Sequence, residues 1–204
     1  MTKLLLVRHG ITEANSARRF AGYSDVELAA DGYWQGEQLF NRLVDQSVDA
    51  VYSSDLQRAR VTAEVVSAGR ELDIIVCPEL REMNYGDAEG LTFGEIQQSY
   101  PELGEMVEKF DLALEFPGGE SFRGFIDRSV SFLDRIAHHT EEETVLVVSH
   151  SGTLRVLVCH LLGIDQNHWR QIRLANASLS IIDTYQRGAI IGLLNGTAHL
   201  KKGE

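Results

Sequence analysis

The chain has 204 residues, of which 44% are hydrophobic and only three are prolines, so it is long enough to bury the core of one domain. Its formal net charge of −11 argues against nucleic acid or an anionic membrane as a partner, because both bind to a basic protein face. Without a long apolar leader or an apolar run of about 18 residues, we expect a soluble cytoplasmic protein. Cys77 and Cys159 lack metal-ligand spacing and are expected to be reduced and buried.

Apolar runs that predict strands alternate with segments of helical periodicity along the whole chain. Strands are predicted at residues 4–7, 49–53, 72–76, 144–149, 178–185 and 189–194. Helices are predicted to begin at Asp31 and Ser54, within residues 92–110 with a break at Pro101, after residues 117–121, and after His150. For the helix at Ser54, the pair Ser54 and Gln57 has the pattern of a capping box.

Strands separated by helices predict right-handed βαβ units and a largely parallel sheet covered on both faces. The last two strands predict a hairpin that adds an antiparallel edge. The fold class is therefore an α/β, three-layer α/β/α sandwich. We expect a single domain over residues 1–204, with a small cap-like insertion around residues 83–120.

Two of the predicted strands end in a histidine. Arg8 and His9 follow the first run, and His150 follows the run at residues 144–149. Arg58 lies in a first helical turn directly beyond another strand. Because ligands of parallel sheets bind beyond the carboxyl ends of the strands, we expect these four side chains to lie close together. Gly10 is expected to let a substrate approach His9 closely.

These residue types fit a phosphoryl group. Arginines offer forked donors for its oxygens, and the start of a helix adds a positive end. One neutral imidazole, His9, can attack phosphorus and form a phosphohistidine, while His150 stabilises the charge on the transferring group. The leaving oxygen needs a proton, for which Glu82 is the candidate. Residue types alone leave three alternatives open for this acid: Glu79, Asp87 and Glu89.

Four segments, in order, resemble the motif regions of the histidine phosphatase superfamily, which has the phosphoglycerate mutase-like fold. They are VRHG with Thr12 and Asn15 behind it, SSDLQRARVTAE, LREMNYGDAEG and VVSHSGTLR. The resemblance covers nearly the whole chain. It implies His9 as nucleophile, Glu82 as proton donor, and a phosphate pocket of Arg8, Arg58 and His150. It also implies no metal and no cofactor. Further substrate contacts are expected from four residues: Asn15, Thr12, Arg18 and Ser151.

The acceptor of the phosphoryl group separates a phosphatase from a mutase. Between Met83 and Phe122 the only basic residue is Lys109, which is too little positive charge for a second phosphate. We therefore expect hydrolysis of a small-molecule phosphate ester. The chain most resembles the α-ribazole phosphatase branch of cobalamin biosynthesis and its broad-specificity phosphatase relatives, so α-ribazole 5′-phosphate is a candidate substrate. Two alternatives stay open, a cofactor-dependent phosphoglycerate mutase-type phosphotransferase and a non-catalytic phospho-ligand-binding protein; a homodimer is also left open.

Overall fold

The computed structural model describes residues 2–109, 113–140 and 142–201. Its strands are β1 (Thr2–Arg8), β2 (Ala50–Ser53), β3 (Ile74–Val76), β4 (Thr144–Ser149), β5 (Leu179–Tyr185) and β6 (Gly188–Gly196). They form one sheet in the order β3-β2-β4-β1-β5-β6. The first four strands in this order are parallel, β5 is antiparallel to β1, and β6 is antiparallel to β5. The predicted parallel sheet with its antiparallel hairpin is confirmed.

Helices cover both faces of this sheet. They are α1 (Glu13–Ser16), α2 (Ala30–Leu43), α3 (Gln57–Val66), α4 (Phe93–Ser99), α5 (Pro101–Lys109), α6 (Phe122–Ile136) and α7 (Ser151–Leu162). On one face, Leu5 and Val7 pack in a cluster with side chains of α2 and α3. On the other, Leu4 and Leu6 pack with α6 and α7. Neighbouring residues of β1 thus point to opposite layers, as the pleat of a strand requires.

The strand at residues 144–149 is a nearly continuous apolar run because β4 lies in the centre of the sheet. All six residues of β4 are buried, because both of its faces are covered by helices. Each valine or leucine side chain removed from water there stabilises the fold by roughly 1.5–3 kcal/mol. A strand that is buried on two faces shows no alternation of polar and apolar residues.

The capping box predicted for α3 does not form. The helix begins at Gln57 with Leu56, which has no capping side chain, as its N-cap, and the Gln57 N–H donates to the Asp25 carboxylate at 2.6 Å. The Ser54 hydroxyl, three residues before the helix, instead accepts a hydrogen bond from the Leu56 backbone N–H at 3.3 Å. The prediction was wrong because the Ser54 side chain is drawn towards a histidine from a distant part of the chain, as described below.

A third hydrophobic cluster lies within the predicted cap. It joins Ile96 of α4 and Leu103 and Val107 of α5 to Phe122 and Phe125 of α6. The segment begins directly after Glu82, and residues 110–112 of the predicted insertion lie outside the described residues. These contacts tie the described cap residues to the layer that contains α6 and α7.

Cys77 and Cys159 are both free and buried, as predicted. In the part of the chain that the structure describes, no helix is long and apolar enough to cross a membrane. Within the same residues, no three His, Cys, Asp or Glu side chains are grouped so that they could hold a metal ion.

Candidate active site

The parallel pairing of β1 with β4 brings the two histidines together. Arg8 lies opposite Ser149 in the register, so His9 and His150 leave the sheet side by side at its carboxyl edge. The His9 backbone N–H donates to the Ser149 carbonyl at 2.9 Å. The centroids of the two imidazole rings are 5.1 Å apart. His9 is 4% exposed and His150 is fully buried, so both rings lie where water has little access.

The environment of His9 determines which of its nitrogens is basic. Its Nδ1 lies 2.7 Å from the Gly10 carbonyl oxygen, which can only accept, so Nδ1 carries the proton and Nε2 the lone pair. Burial, followed by the charges of Arg58 and Arg8, holds the pKa of His9 well below its usual value. The ring is therefore neutral at physiological pH, with a nucleophilic Nε2.

His150 has the opposite proton arrangement. The Arg58 Nε–H donates to His150 Nδ1 at 3.2 Å, and a guanidinium cannot accept, so Nδ1 is unprotonated. The proton is on Nε2, which donates to the Ser54 hydroxyl at 2.9 Å. Burial, with Arg58 as the next cause, holds the pKa of His150 well below its usual value. This second imidazole is thus also neutral, with its tautomer set by Arg58 and Ser54.

Arg58 holds a loop as well as a histidine. Its Nη1 donates to the Ser24 carbonyl at 2.8 Å, and its Nη2 donates to Ala21 and Gly22 at 3.1 and 2.7 Å. With the bond to His150, four of its five N–H groups have protein partners. The predicted fork towards a phosphoryl group is therefore largely occupied. Arg58 contributes a buried positive charge and a fixed loop at residues 21–24.

Arg8 has donor capacity that the protein does not use. Its Nη1 donates to the Leu174 carbonyl at 2.8 Å. Its Nε is buried and has no hydrogen-bond partner among the described residues. Burial lowers the pKa of Arg8 to about 10, against the attraction of Glu82, so the group stays charged at physiological pH. A buried, charged donor without a partner is costly, and an anionic ligand would satisfy it.

Glu82 reaches the same region from the loop after β3. Its Oε2 accepts from the Gly152 N–H at 3.0 Å, and its Oε1 accepts from the Met83 N–H at the same distance. A Cβ at Gly152 would lie 2.2 Å from Oε1, so a larger residue there would displace the Glu82 carboxyl group from this position. The carboxyl group therefore rests against the first turn of α7, two residues beyond His150.

The three alternative acids are engaged or placed elsewhere. Glu79 accepts from Arg135 at 2.8 Å, in an ion pair on the outer side of α6. Glu89 accepts from the backbone N–H groups of residues 22–24 and of Tyr85, so its carboxylate serves as a loop anchor. Asp87 is exposed. Only Glu82 of these four contacts the helix that begins beside His150.

The remaining predicted substrate contacts lie around this centre. Thr12 and Asn15 cap α1 reciprocally, since the Thr12 hydroxyl accepts from the Asn15 N–H and the Asn15 Oδ1 accepts from the Thr12 N–H. Ser151 is the half-buried first residue of α7. Arg18 lies in an exposed turn with a φ of +54°, and no hydrogen bond of its side chain to these groups is seen in the described residues.

Sequence reasoning missed three polar residues that support the centre. Ser54 holds His150, as described above. Thr62 Oγ1 accepts from the Gly10 N–H at 3.1 Å and donates to the Arg58 carbonyl at 2.7 Å. Asn176 Nδ2 donates to the Asn15 Oδ1 at 2.9 Å and to the His9 carbonyl at 3.3 Å. Ser54 and Thr62 lie within the segment SSDLQRARVTAE, whereas no spacing in the sequence points to Asn176.

Gly10 has a structural role that the sequence analysis did not predict. A Cβ at this position would lie 2.5 Å from the Gly32 carbonyl oxygen and 3.0 Å from its Cα, on the backbone of α2. The glycine is needed because two backbone segments pack against each other there. The predicted close approach of a substrate to His9 stays a prediction.

Comparisons with known proteins agree with this geometry. A family model of the histidine phosphatase superfamily (branch 1) matches residues 4–197. Phosphoserine phosphatase 1 of Hydrogenobacter thermophilus is 34% identical over 200 residues, covering 98% of this chain and 95% of that protein. The adenosylcobalamin/alpha-ribazole phosphatase of Escherichia coli is 32% identical over 197 residues, covering 96% and 97%. The crystal structure of the alpha-ribazole phosphatase from Shigella flexneri matches with a TM-score of 0.88 at 33% identity, covering 95% and 96%.

Fold and site together define a class of enzyme in which two neutral imidazoles and two arginines meet at one edge of a mixed sheet. The chain belongs to the histidine phosphatase superfamily, as the resemblance of its four motifs predicted. It is an enzyme of the phosphatase class, as its phosphatase relatives and structural neighbours establish.

Proposed function

We propose that this phosphatase cleaves small phosphate monoesters through a covalent phosphohistidine on His9. The observation that carries the proposal is the state of the His9 ring, which is neutral and has its Nδ1 proton directed to the Gly10 carbonyl. Nε2 is then the nucleophile. Arg8 supports the proposal, because its Nε has no hydrogen-bond partner among the described residues and can donate to a phosphoryl oxygen. The ring of His150 lies beside that of His9, with 5.1 Å between the two centroids.

The reaction has two balanced steps. First, His9 Nε2 attacks phosphorus, the bond between phosphorus and the ester oxygen breaks, and the Glu82 carboxyl gives its proton to the leaving oxygen. Then the Glu82 carboxylate takes a proton from water, whose oxygen attacks phosphorus while the phosphorus–nitrogen bond breaks. Inorganic phosphate leaves and His9 is again neutral. The charges of Arg8 and Arg58 stabilise the transferring group in both steps.

We assign choice of the leaving group to the cap, the described residues 83–109 and 113–120. The cap begins at the residue after Glu82, the proposed proton donor, and its third cluster packs it against α6. Thr12, Asn15, Arg18 and Ser151 remain proposed substrate contacts on the opposite, phosphate side. The names of two relatives suggest two kinds of leaving group, the serine of phosphoserine and the neutral nucleoside α-ribazole.

Hydrolysis is favoured over a mutase reaction by the charge of the cap. Lys109, its one basic residue in the sequence, forms an ion pair with Glu105 and is largely exposed. A second phosphate held by the cap would meet little positive charge. Water is therefore the proposed acceptor of the phosphoryl group.

The test is a phosphate-release assay with chelator present, over α-ribazole 5′-phosphate, O-phosphoserine, 3-phosphoglycerate and an aryl phosphate, with mutase product followed in parallel. We expect His9→Ala to lower kcat by at least ~10³-fold, because the covalent step is lost. The matched control is His160→Ala, an exposed histidine on α7. If His9→Ala keeps most of the wild-type rate, His9 is not the nucleophile. If 2-phosphoglycerate forms from 3-phosphoglycerate without free phosphate, the protein is a mutase and not a phosphatase of this ester.

We also propose that two copies of the chain associate through β6. This strand is an edge of the sheet, and its sequence GAIIGLLNG contains neither a charged residue nor a proline. Such residues usually prevent an edge strand from pairing with another chain. Ile190 is 58% exposed and Leu194 is 39% exposed on it. Antiparallel pairing of β6 with itself gives a closed two-fold dimer. A homodimer of this kind would cover both the apolar side chains and the unpaired backbone groups.

A cytoplasmic location is proposed from the cysteines. Cys77 and Cys159 are free thiols, and burial raises the pKa of Cys77 to about 11. Such thiols are typical of a reducing compartment. Fractionation of cells that express the chain tests the proposal, which predicts recovery with cytoplasmic markers and is contradicted by recovery with secreted ones.

A further inference from the structure

Arg155 is a partly buried cation that makes no hydrogen bond or ion pair with the other described residues. It lies on α7, and its Nε is buried with no hydrogen-bond partner among the described residues. In those residues it forms no ion pair with a carboxylate, although six other arginines or lysines do. A charged donor that has lost water and gained no partner is unfavourable unless a ligand completes it.

The position of Arg155 on α7 directs it to the proposed proton donor. It follows Gly152 by three residues, which places both on one face of the helix, and Gly152 is the residue whose N–H holds the Glu82 carboxylate. The Arg155 Cζ lies 5.9 Å from the centroid of the Trp169 ring. Trp169 belongs to the third cluster together with cap residues. Arg155 is therefore on the side of Glu82 that the cap borders.

The electrostatics give the same location. Burial lowers the pKa of Arg155, and the carboxylate of Glu82 is the first attractive charge that opposes this shift, followed by Tyr85 of the cap. Arg155 in turn is one of the charges that lower the pKa of Arg8, the proposed phosphate ligand. One positive charge thus lies near both the acid that protonates the leaving oxygen and the cap.

We propose that Arg155 binds a carboxylate on the leaving group, so that the substrates are phosphate monoesters of hydroxy acids. This inference rests on the proposed function, since Glu82 marks the leaving-group side only if it is the proton donor. A planar guanidinium matches a carboxylate with two parallel N–H bonds, and the aromatic face of Trp169 supports it from one side. The positive charge that binds the leaving group thus lies on α7, outside the cap, whose sequence contains only one basic residue, Lys109.

The experiment compares substrate pairs that differ in the carboxylate. They are O-phosphoserine with O-phosphoethanolamine, and 3-phosphoglycerate with glycerol 3-phosphate. We expect Arg155→Met to raise KM by ~10–100-fold for the ester that carries the carboxylate in each pair, because one charged hydrogen-bonded pair is lost. The KM of the ester without the carboxylate should change by no more than ~2-fold. Arg155→Lys should recover part of the loss, because it keeps the charge without the fork. Arg60→Met, an exposed arginine on α3, is the matched control.

Two results would overturn the inference. An equal loss on all four esters would mean that Arg155 serves the phosphoryl group or the fold, and no loss on any would mean that it binds no substrate. A second measurement does not depend on turnover. Calorimetric binding of 3-phosphoglycerate and glycerol 3-phosphate to His9→Ala, with and without Arg155→Met, should give the same selective loss. If the wild-type protein releases no phosphate from any ester, the proposed function fails while this binding result still decides the role of Arg155.

Discussion

His9 and His150 are chemically different groups although both are buried and neutral. His9 directs an N–H to a carbonyl, whereas His150 accepts from Arg58 and donates to Ser54. A proton added to His150 Nδ1 would face the Arg58 N–H, and a proton added to His9 would join a region that already contains two arginines. Both rings therefore resist protonation, and His9, the proposed nucleophile, keeps its lone pair.

The pH dependence of catalysis should reflect this resistance. The folded-state pKa of His9 is lowered, so the neutral nucleophile persists as the pH falls past 6.5, the usual histidine value, and is lost only well below it. We expect kcat/KM for an aryl phosphate, corrected for ionisation of the substrate itself, to stay level between pH 7.5 and about 6. An acid limb centred near pH 6.5 in that profile would contradict a shielded His9.

At the scale of elements, α6 holds the loop that carries Glu82. Arg128 of this helix donates from Nη1 to the carbonyls of Glu79 and Arg81 at 2.9 and 3.0 Å, and from Nη2 to that of Glu82 at 3.2 Å. Its Nε also pairs with Glu120, at the end of the cap, at 2.9 Å. One side chain thus connects the helix, the acid-bearing loop and the cap.

Replacement of Arg128 should affect stability and proton donation together. We expect Arg128→Met to lower the free energy of unfolding by ~2–4 kcal/mol, because three carbonyls and the Glu120 carboxylate lose their partner. Because Glu82 is displaced, the kcat for alkyl phosphates should fall at least ~5-fold more than the kcat for an aryl phosphate, whose leaving group needs no proton. Urea unfolding and the ratio of the two kcat values measure these effects. Arg123→Met, exposed on the same helix, is the control, and a uniform loss on both esters would argue against a positioning role.

At the scale of the whole molecule, the sheet ends in two unlike edges. β3 is three residues long, whereas β6 has nine residues and, among the described strands, pairs with β5 alone. Both present exposed apolar side chains, among them Ile75 on β3 and Ile190 on β6. The longer edge offers more backbone groups to another strand, which is why the dimer is proposed there.

The oligomeric state should respond to one edge and not to the other. We expect Ile190→Lys to convert a dimer into a monomer in sedimentation velocity, since it would place a charge among the apolar side chains of the paired edges. Ile75→Lys on β3 should leave the dimer intact. A wild-type monomer at micromolar concentration, or dissociation by Ile75→Lys instead, would rule out the β6 interface.

The pattern of residues by itself determined the elements, the fold class and the family. Runs such as residues 144–149 predict a doubly buried strand because burial on both faces leaves no room for polar residues. The histidines at two strand ends predict a shared site because parallel strands end at one edge, and β1 and β4 are neighbours in the sheet. These properties follow from local periodicity and from rules that hold for every parallel sheet.

Tertiary structure alone decided which groups meet. It placed Glu82 against the start of α7 through a hydrogen bond from Gly152, seventy residues later, while Glu79 pairs with Arg135, and it turned Ser54 from a predicted helix cap into a partner of His150. It also left the buried Arg155 Nε with no hydrogen-bond partner among the described residues. Local patterns carry no record of such contacts, because a hydrogen bond or a lost hydration shell depends on the atoms that distant segments bring within about 3 Å.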